Sequence, residues 1–129
     1  LGGNLPRKQV AQAMRAEALD QRLPAPSLAR QREAIREGHC SLLPEAQVGP
    51  MARVQIARDR AMALVLAQAA QAAQAGRVVV LVAGSGHVDA QVGVPQHLPP
   101  SLRARPVQWP GEAPRRDYCA DLKRQMGRI

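Results

Sequence analysis

The chain has 129 residues, 46% of them hydrophobic, enough to bury the core of one small globular domain and too apolar for a disordered segment. Lysine and arginine number 18 against 10 acidic residues, a formal net charge of +8, and all but two of the cations are arginine. A 2% aromatic share without phenylalanine, and arginines scattered along the chain, argue against base stacking and hence against nucleic acid as the partner; no apolar run is long enough to cross a bilayer.

Leu1 to Asn4 reads as the end of a strand, and Pro6 suits the first turn of a helix reaching about Leu19, with Val10, Ala13, Met14, Glu17 and Ala18 at helical spacing. Two prolines make Arg22 to Pro26 a loop, Ser27 reads as the cap of a second helix running to about Glu37, and Gly38 ends it. Pro44 and Pro50 make Cys40 to Pro50 a connector. Residues 20–50 thus read as part of a small helical subdomain.

Met51 to about Gly76, rich in Ala, Leu, Met and Gln, carries the longest helical signal. One stripe holds Val54, Ala61, Val65 and Ala69, and its neighbour holds Gln55, Arg58, Asp59 and Met62 in one shared environment. Arg58, close to the apolar stripe, needs an acceptor elsewhere in the fold or on a ligand. Val78 to Ala83 has no polar alternation and reads as a strand buried on both faces, as in a parallel sheet. Ligands of such sheets lie beyond the carboxyl ends of the strands, where this chain has Gly84, Ser85, Gly86 and His87. The flanking glycines let a ligand approach His87 closely, while the third glycine of a dinucleotide fingerprint is missing.

Pro95 opens a short element that Pro99 and Pro100 must end; Leu102 to Trp109 alternates weakly as a last strand, and Pro110 to Pro114 is a link. Arg115 to Met126 reads as a terminal helix with Tyr118, Leu122 and Met126 on one stripe. Cys40 and Cys119 have no metal-ligand spacing and are either two buried thiols or, in an oxidising compartment, a bridge. The pattern predicts an α/β fold: a partial parallel sheet of two to three strands flanked by helices, with strand neighbours supplied by an N-terminal half or a partner chain.

GSGHV followed by GVPQHL resembles the ChaN-like haem-binding family of bacterial iron-regulated lipoproteins. Asn4 to Arg7, Gly38 to Cys40, Leu43 to Glu45, the Gln55, Arg58, Asp59 and Met62 series, and Asp117 to Cys119 look like family features in the family's order. Family members also carry an amino-terminal half with a Gly-Glu-x-His type motif that does not precede Leu1, so the resemblance is to the carboxyl-terminal portion. It implies haem binding without catalysis in bacterial haem and iron acquisition, in the periplasm or at the outer membrane of a Gram-negative cell. Any export signal would precede Leu1. It also implies association of two copies and an outer-membrane haem receptor system as partner.

On that reading His87, Gly86, Arg58 and Lys8 face haem propionates, and Tyr118 is the iron ligand, with His97 and His39 as alternatives. The apolar macrocycle would lie against Val88, Val92, Val94, Met51 and Met62. Two other readings stay open. The wider superfamily includes hydrolases that use acidic and histidine residues from both halves, although Ser85, His87 and Asp89 are too close in sequence for a standard triad. A basic nucleic-acid module is the third, with salt-dependent binding as its signature.

Overall fold

The computed structural model describes residues 4–127, and every regular element among them is helical. Helix α1 (Arg7–Arg15) begins after Pro6, whose φ of −57° is already helical, and breaks at Ala16. A tighter 3-10 segment, Glu17–Arg22, carries the chain on, so the helix expected to reach Leu19 is two pieces. Helix α2 (Ala25–Gly38) starts from Pro24, which places Ser27 inside the first turn instead of at the cap. Past it, Cys40 and Ser41 both take φ of 56°, and the Ser41 N–H donates to the Arg36 carbonyl at 2.9 Å.

Helix α3 (Glu45–Ala72) contains Pro50, which the sequence places in a connector. A proline there removes one helical hydrogen bond at a cost of about 3 kcal/mol. The flanking Val48 and Ala52 are fully buried with Ile35 of α2, over which Leu43 and Met51 pack, and that burial outweighs the lost bond. Further along α3, Met62 and Ala63 join Val94 in a second cluster, closed by Leu66, Leu81, Ala83 and Leu98. Arg53 ties the amino-terminal elements to α3: its guanidinium donates twice to Asp20, at 3.1 and 3.2 Å, and once to the Met14 carbonyl at 3.0 Å.

The predicted parallel sheet does not form among the described residues. Val78–Ala83 is extended with the alternation of a strand: Val79, Leu81 and Ala83 turn inward, while Val78, Val80 and Val82 are 85%, 75% and 90% exposed. Leu102–Trp109, the other expected strand, is also non-helical and almost wholly exposed. No backbone hydrogen bond joins either segment to another, so the described fold is helical and the α/β expectation is corrected. Strand conformation is local, whereas a sheet needs a partner backbone about 4.8 Å away. Leu1–Gly3, the rest of the first expected strand, lie outside the described residues.

Helix α4 is a single turn, Ser85–Val88, followed by a 3-10 turn, Val94–His97, with Pro95 at its start as expected. Gly93 fits between them so closely that a β-carbon there would stand 2.2 Å from the His87 carbonyl oxygen and 2.8 Å from that of Gly86. Gly93→Ala must therefore push α4 away from the 3-10 turn, and we expect it to lower the unfolding free energy by about 1–3 kcal/mol in urea titration. A substitution without effect would contradict this packing.

Helix α5 (Tyr118–Met126) is capped by Asp117, whose carboxylate accepts from the Ala120 N–H at 2.9 Å. It buries no residue fully, and a disulfide between Cys119 and Cys40 holds it to the turn after α2.

Candidate functional site

Helix α3 buries an acidic residue on its apolar face. Asp59 is 1% exposed, between Ile56 and Met62, and its carboxylate accepts from Nδ1 of His87 at 2.6 Å. Helix α4 supplies that imidazole, and Gly93 lets it seat against the 3-10 turn. With Nδ1 committed to Asp59, the tautomer is fixed and Nε2 is the free ring nitrogen of a side chain that is 29% exposed.

Both groups hold a proton more tightly than usual, for different reasons. The hydrogen bond to Asp59 pushes the His87 pKa above its ordinary value, against burial and the nearby Arg58 cation. Burial pushes the Asp59 carboxyl up, and His87 only partly offsets this.

Arg58, the residue before Asp59, lies near enough to lower the proton affinity of His87, and its buried Nε has no acceptor. No ion pair is formed by Arg58 among the described residues. The acceptor that the sequence leads one to expect for this arginine is not found among the described residues. The structure thus brings together Arg58, His87 and Gly86, and adds Asp59, which sequence reading placed on the right helix face without its partner. The available signal was an acidic side chain flanked at helical spacing by Ile56, Met62 and Ala63, a position that demands a hydrogen-bond donor.

The other candidates lie apart. Lys8 is exposed on α1, and Tyr118 is 64% exposed at the start of α5 and lines neither cavity described below. His39 donates from Nδ1 to the Ile35 carbonyl, 2.7 Å away, in a structural role at the end of α2. Val92, Val94 and Met62, expected against a ligand, are buried in the core. His97 borders a cavity of about 440 Å³ with Arg60, Leu64 and Pro99, but its Nε2 is sealed and without a partner.

Burial, reinforced by Arg60 and Arg22, pulls the His97 pKa from 6.5 down to about 4. A histidine whose proton affinity falls on folding stabilises the fold above its unfolded pKa and loses that contribution as pH falls. We expect about 2 kcal/mol to disappear between pH 6.5 and 4, the full shift being reduced for partial exposure. Urea titrations of His97→Phe should be flatter across that window; an identical acid slope would contradict it.

A second cavity, about 610 Å³, runs between the two extended segments, with Val78–Ala83 on one side, Arg103–Trp109 on the other, and Ser85 and Val88 of α4 at one end. Among the described residues no group of three or more His, Cys, Asp or Glu side chains gathers as a metal site, and no helix is long and apolar enough to cross a membrane.

Residues 1–98 match the family described as haem-binding uptake, Tiki superfamily, ChaN. The chain belongs to this family. No match was found among curated proteins or among solved structures.

Proposed function

We propose that this chain binds haem for uptake, and that His87 and Arg58 receive a propionate. The observation that carries the reading is the meeting of His87, whose Nε2 is left free by the Nδ1 bond to Asp59 and carries an N–H when the ring is protonated, with the guanidinium of Arg58, which has no acceptor among the described residues. A carboxylate satisfies both, and charge-assisted bonds of this kind are roughly twice as strong as neutral ones. The glycines of α4 leave room for the ligand, and Val88 offers the nearest apolar contact for the macrocycle.

Haem, when bound, would supply an iron that a phenolate oxygen can ligate. Tyr118 is the proposed iron ligand because its phenol is open to solvent, whereas His97 Nε2 is sealed. Since Tyr118 stands outside the cavities that flank α4, two copies sharing haem follow naturally from this assignment. The disulfide suits an oxidising compartment such as the periplasm or the outer-membrane surface of a Gram-negative cell, where delivery to a haem receptor would take place.

Haem titration of the oxidised chain, followed by absorbance, tests this. We expect a saturable Soret band, affinity roughly tenfold weaker in Arg58→Gln, and loss of the tyrosinate charge-transfer band in Tyr118→Phe. The absence of a saturable band, or variants that bind as the parent does, would overturn the reading.

A further inference from the structure

The hydrogen bond between Asp59 and His87 decides what the free edge of the imidazole can offer a ligand. While the pair holds two protons, one lies in the 2.6 Å bond, on whichever of the two atoms, and the other is on Nε2. Nε2 is then a donor. When the pair gives up a proton, the one that remains stays in the bond, because Asp59 is 1% exposed and accepts from no other side chain among the described residues. Nε2 is left as a bare lone pair, and the pair as a whole is negative. Such an edge cannot donate to a carboxylate, and the charge behind it repels one.

The groups packed around α4 do not compensate. Arg58, the cation of α3 that bears on His87, is charged at any pH the protein meets. In the loop after α4, the Asp89 carboxylate accepts from Arg30 of α2 at 2.9 Å. The 3-10 turn against α4 brings His97, pulled down to about 4 and therefore neutral near pH 7. From the extended segment beyond it, Gln108 donates to the Ser85 carbonyl at 2.9 Å without bringing charge, and Arg103 and Arg105 stay cationic. Of these groups, the Asp59–His87 pair is the one that changes charge as the pH passes from neutral to mildly alkaline.

We infer, on the reading that His87 and Arg58 receive a propionate, that the site is proton-gated: the ligand carboxylate is held by both residues while the Asp59–His87 pair keeps its second proton, and is let go by His87 when that proton leaves. Binding a carboxylate at alkaline pH then takes up a proton, and the bound carboxylate in turn tightens the pair's hold on it. Since the bond to Asp59 lifts His87 above its ordinary value, release belongs above the usual histidine range.

Iron-free protoporphyrin tests this, because it keeps both propionates and has no iron for Tyr118 or hydroxide to ligate. Fluorescence titrations of the oxidised chain with this diacid and with its dimethyl ester run from about pH 6.5 to about pH 9.5, a range in which carboxylates stay ionised. We expect the parent's affinity for the diacid to fall roughly tenfold across the range, while its affinity for the ester stays level. Asp59→Asn offers Nδ1 an amide N–H, so that Nε2 keeps its proton in the neutral ring, and the fall should vanish. His87→Gln, which carries a donor that does not titrate, should be level too and serves if circular dichroism shows Asp59→Asn to be unfolded.

A level affinity for the diacid in the parent, with the diacid still preferred to the ester, would overturn the gate and leave the propionate reading standing. Equal affinity for diacid and ester at every pH would overturn both. A fall that the ester shares, or that persists in the folded variants, would place the titrating group elsewhere and overturn the gate.

Discussion

Replacing His87 by alanine should cost this protein about 2–4 kcal/mol of stability at neutral pH, more than truncating a side chain of its exposure ordinarily does. The loss comes from Asp59, left 1% exposed among aliphatic side chains with no donor for its carboxylate. The deficit should shrink as the pH is lowered, because the isolated carboxyl, its pKa raised further by burial, escapes the penalty by taking up a proton. In the parent the sign is the same: both members of the pair hold protons more tightly folded than unfolded. Their contribution is therefore complete at low pH and declines as the pH rises through the elevated His87 pKa.

Removing both partners should largely undo the damage. His87→Ala with Asp59→Leu is expected to recover most of the stability, since an apolar pair of similar volume leaves nothing unsatisfied. Urea denaturation of the two single variants and the double variant at several pH values measures this. A His87→Ala deficit that is independent of pH, or a double variant as unstable as the sum of the singles, would refute the coupling.

The second large effect should follow reduction of Cys40–Cys119, which closes a loop across 79 residues of sequence. Chain-entropy arguments put the contribution of such a bridge at about 2–4 kcal/mol. Helix α5 is only nine residues long and buries nothing fully, so without the bridge it lacks the packing that short helices need. We expect the paired Cys40→Ser and Cys119→Ser variant to lose amide protection throughout Tyr118–Met126 while α2 and α3 keep theirs. Protection of α5 that survives the substitution would show that its packing suffices to hold it.

The helices were legible because the cause of each lies close by in sequence. The Ala, Leu and Met content of α3, the glycine that ends α2 and Pro95 of the short turn act over a few residues. Pro50 was misread because a local rule gave way to burial of its neighbours, and the Asp117 cap was missed because the start of α5 was set by the charged run before it. Val78–Val82 shows the limit most clearly: the residues dictate an extended backbone, but pairing is a property of two segments, and the second is not encoded in the first.

The same division holds at the site. His87 was found from its position after an apolar run between glycines, and Arg58 from its need for an acceptor. Their common neighbour Asp59 was visible only as part of a helix face, because the 28 residues between it and His87 have to fold before the two meet.

His87 and Arg58 are proposed to meet a carboxylate, and the most direct test compares haem with its dimethyl ester, in which both propionates are blocked. Absorbance titrations should show the parent chain binding haem at least roughly tenfold more tightly than the ester, with that preference gone in Arg58→Gln. Equal affinity for haem and its ester in the parent chain would contradict it.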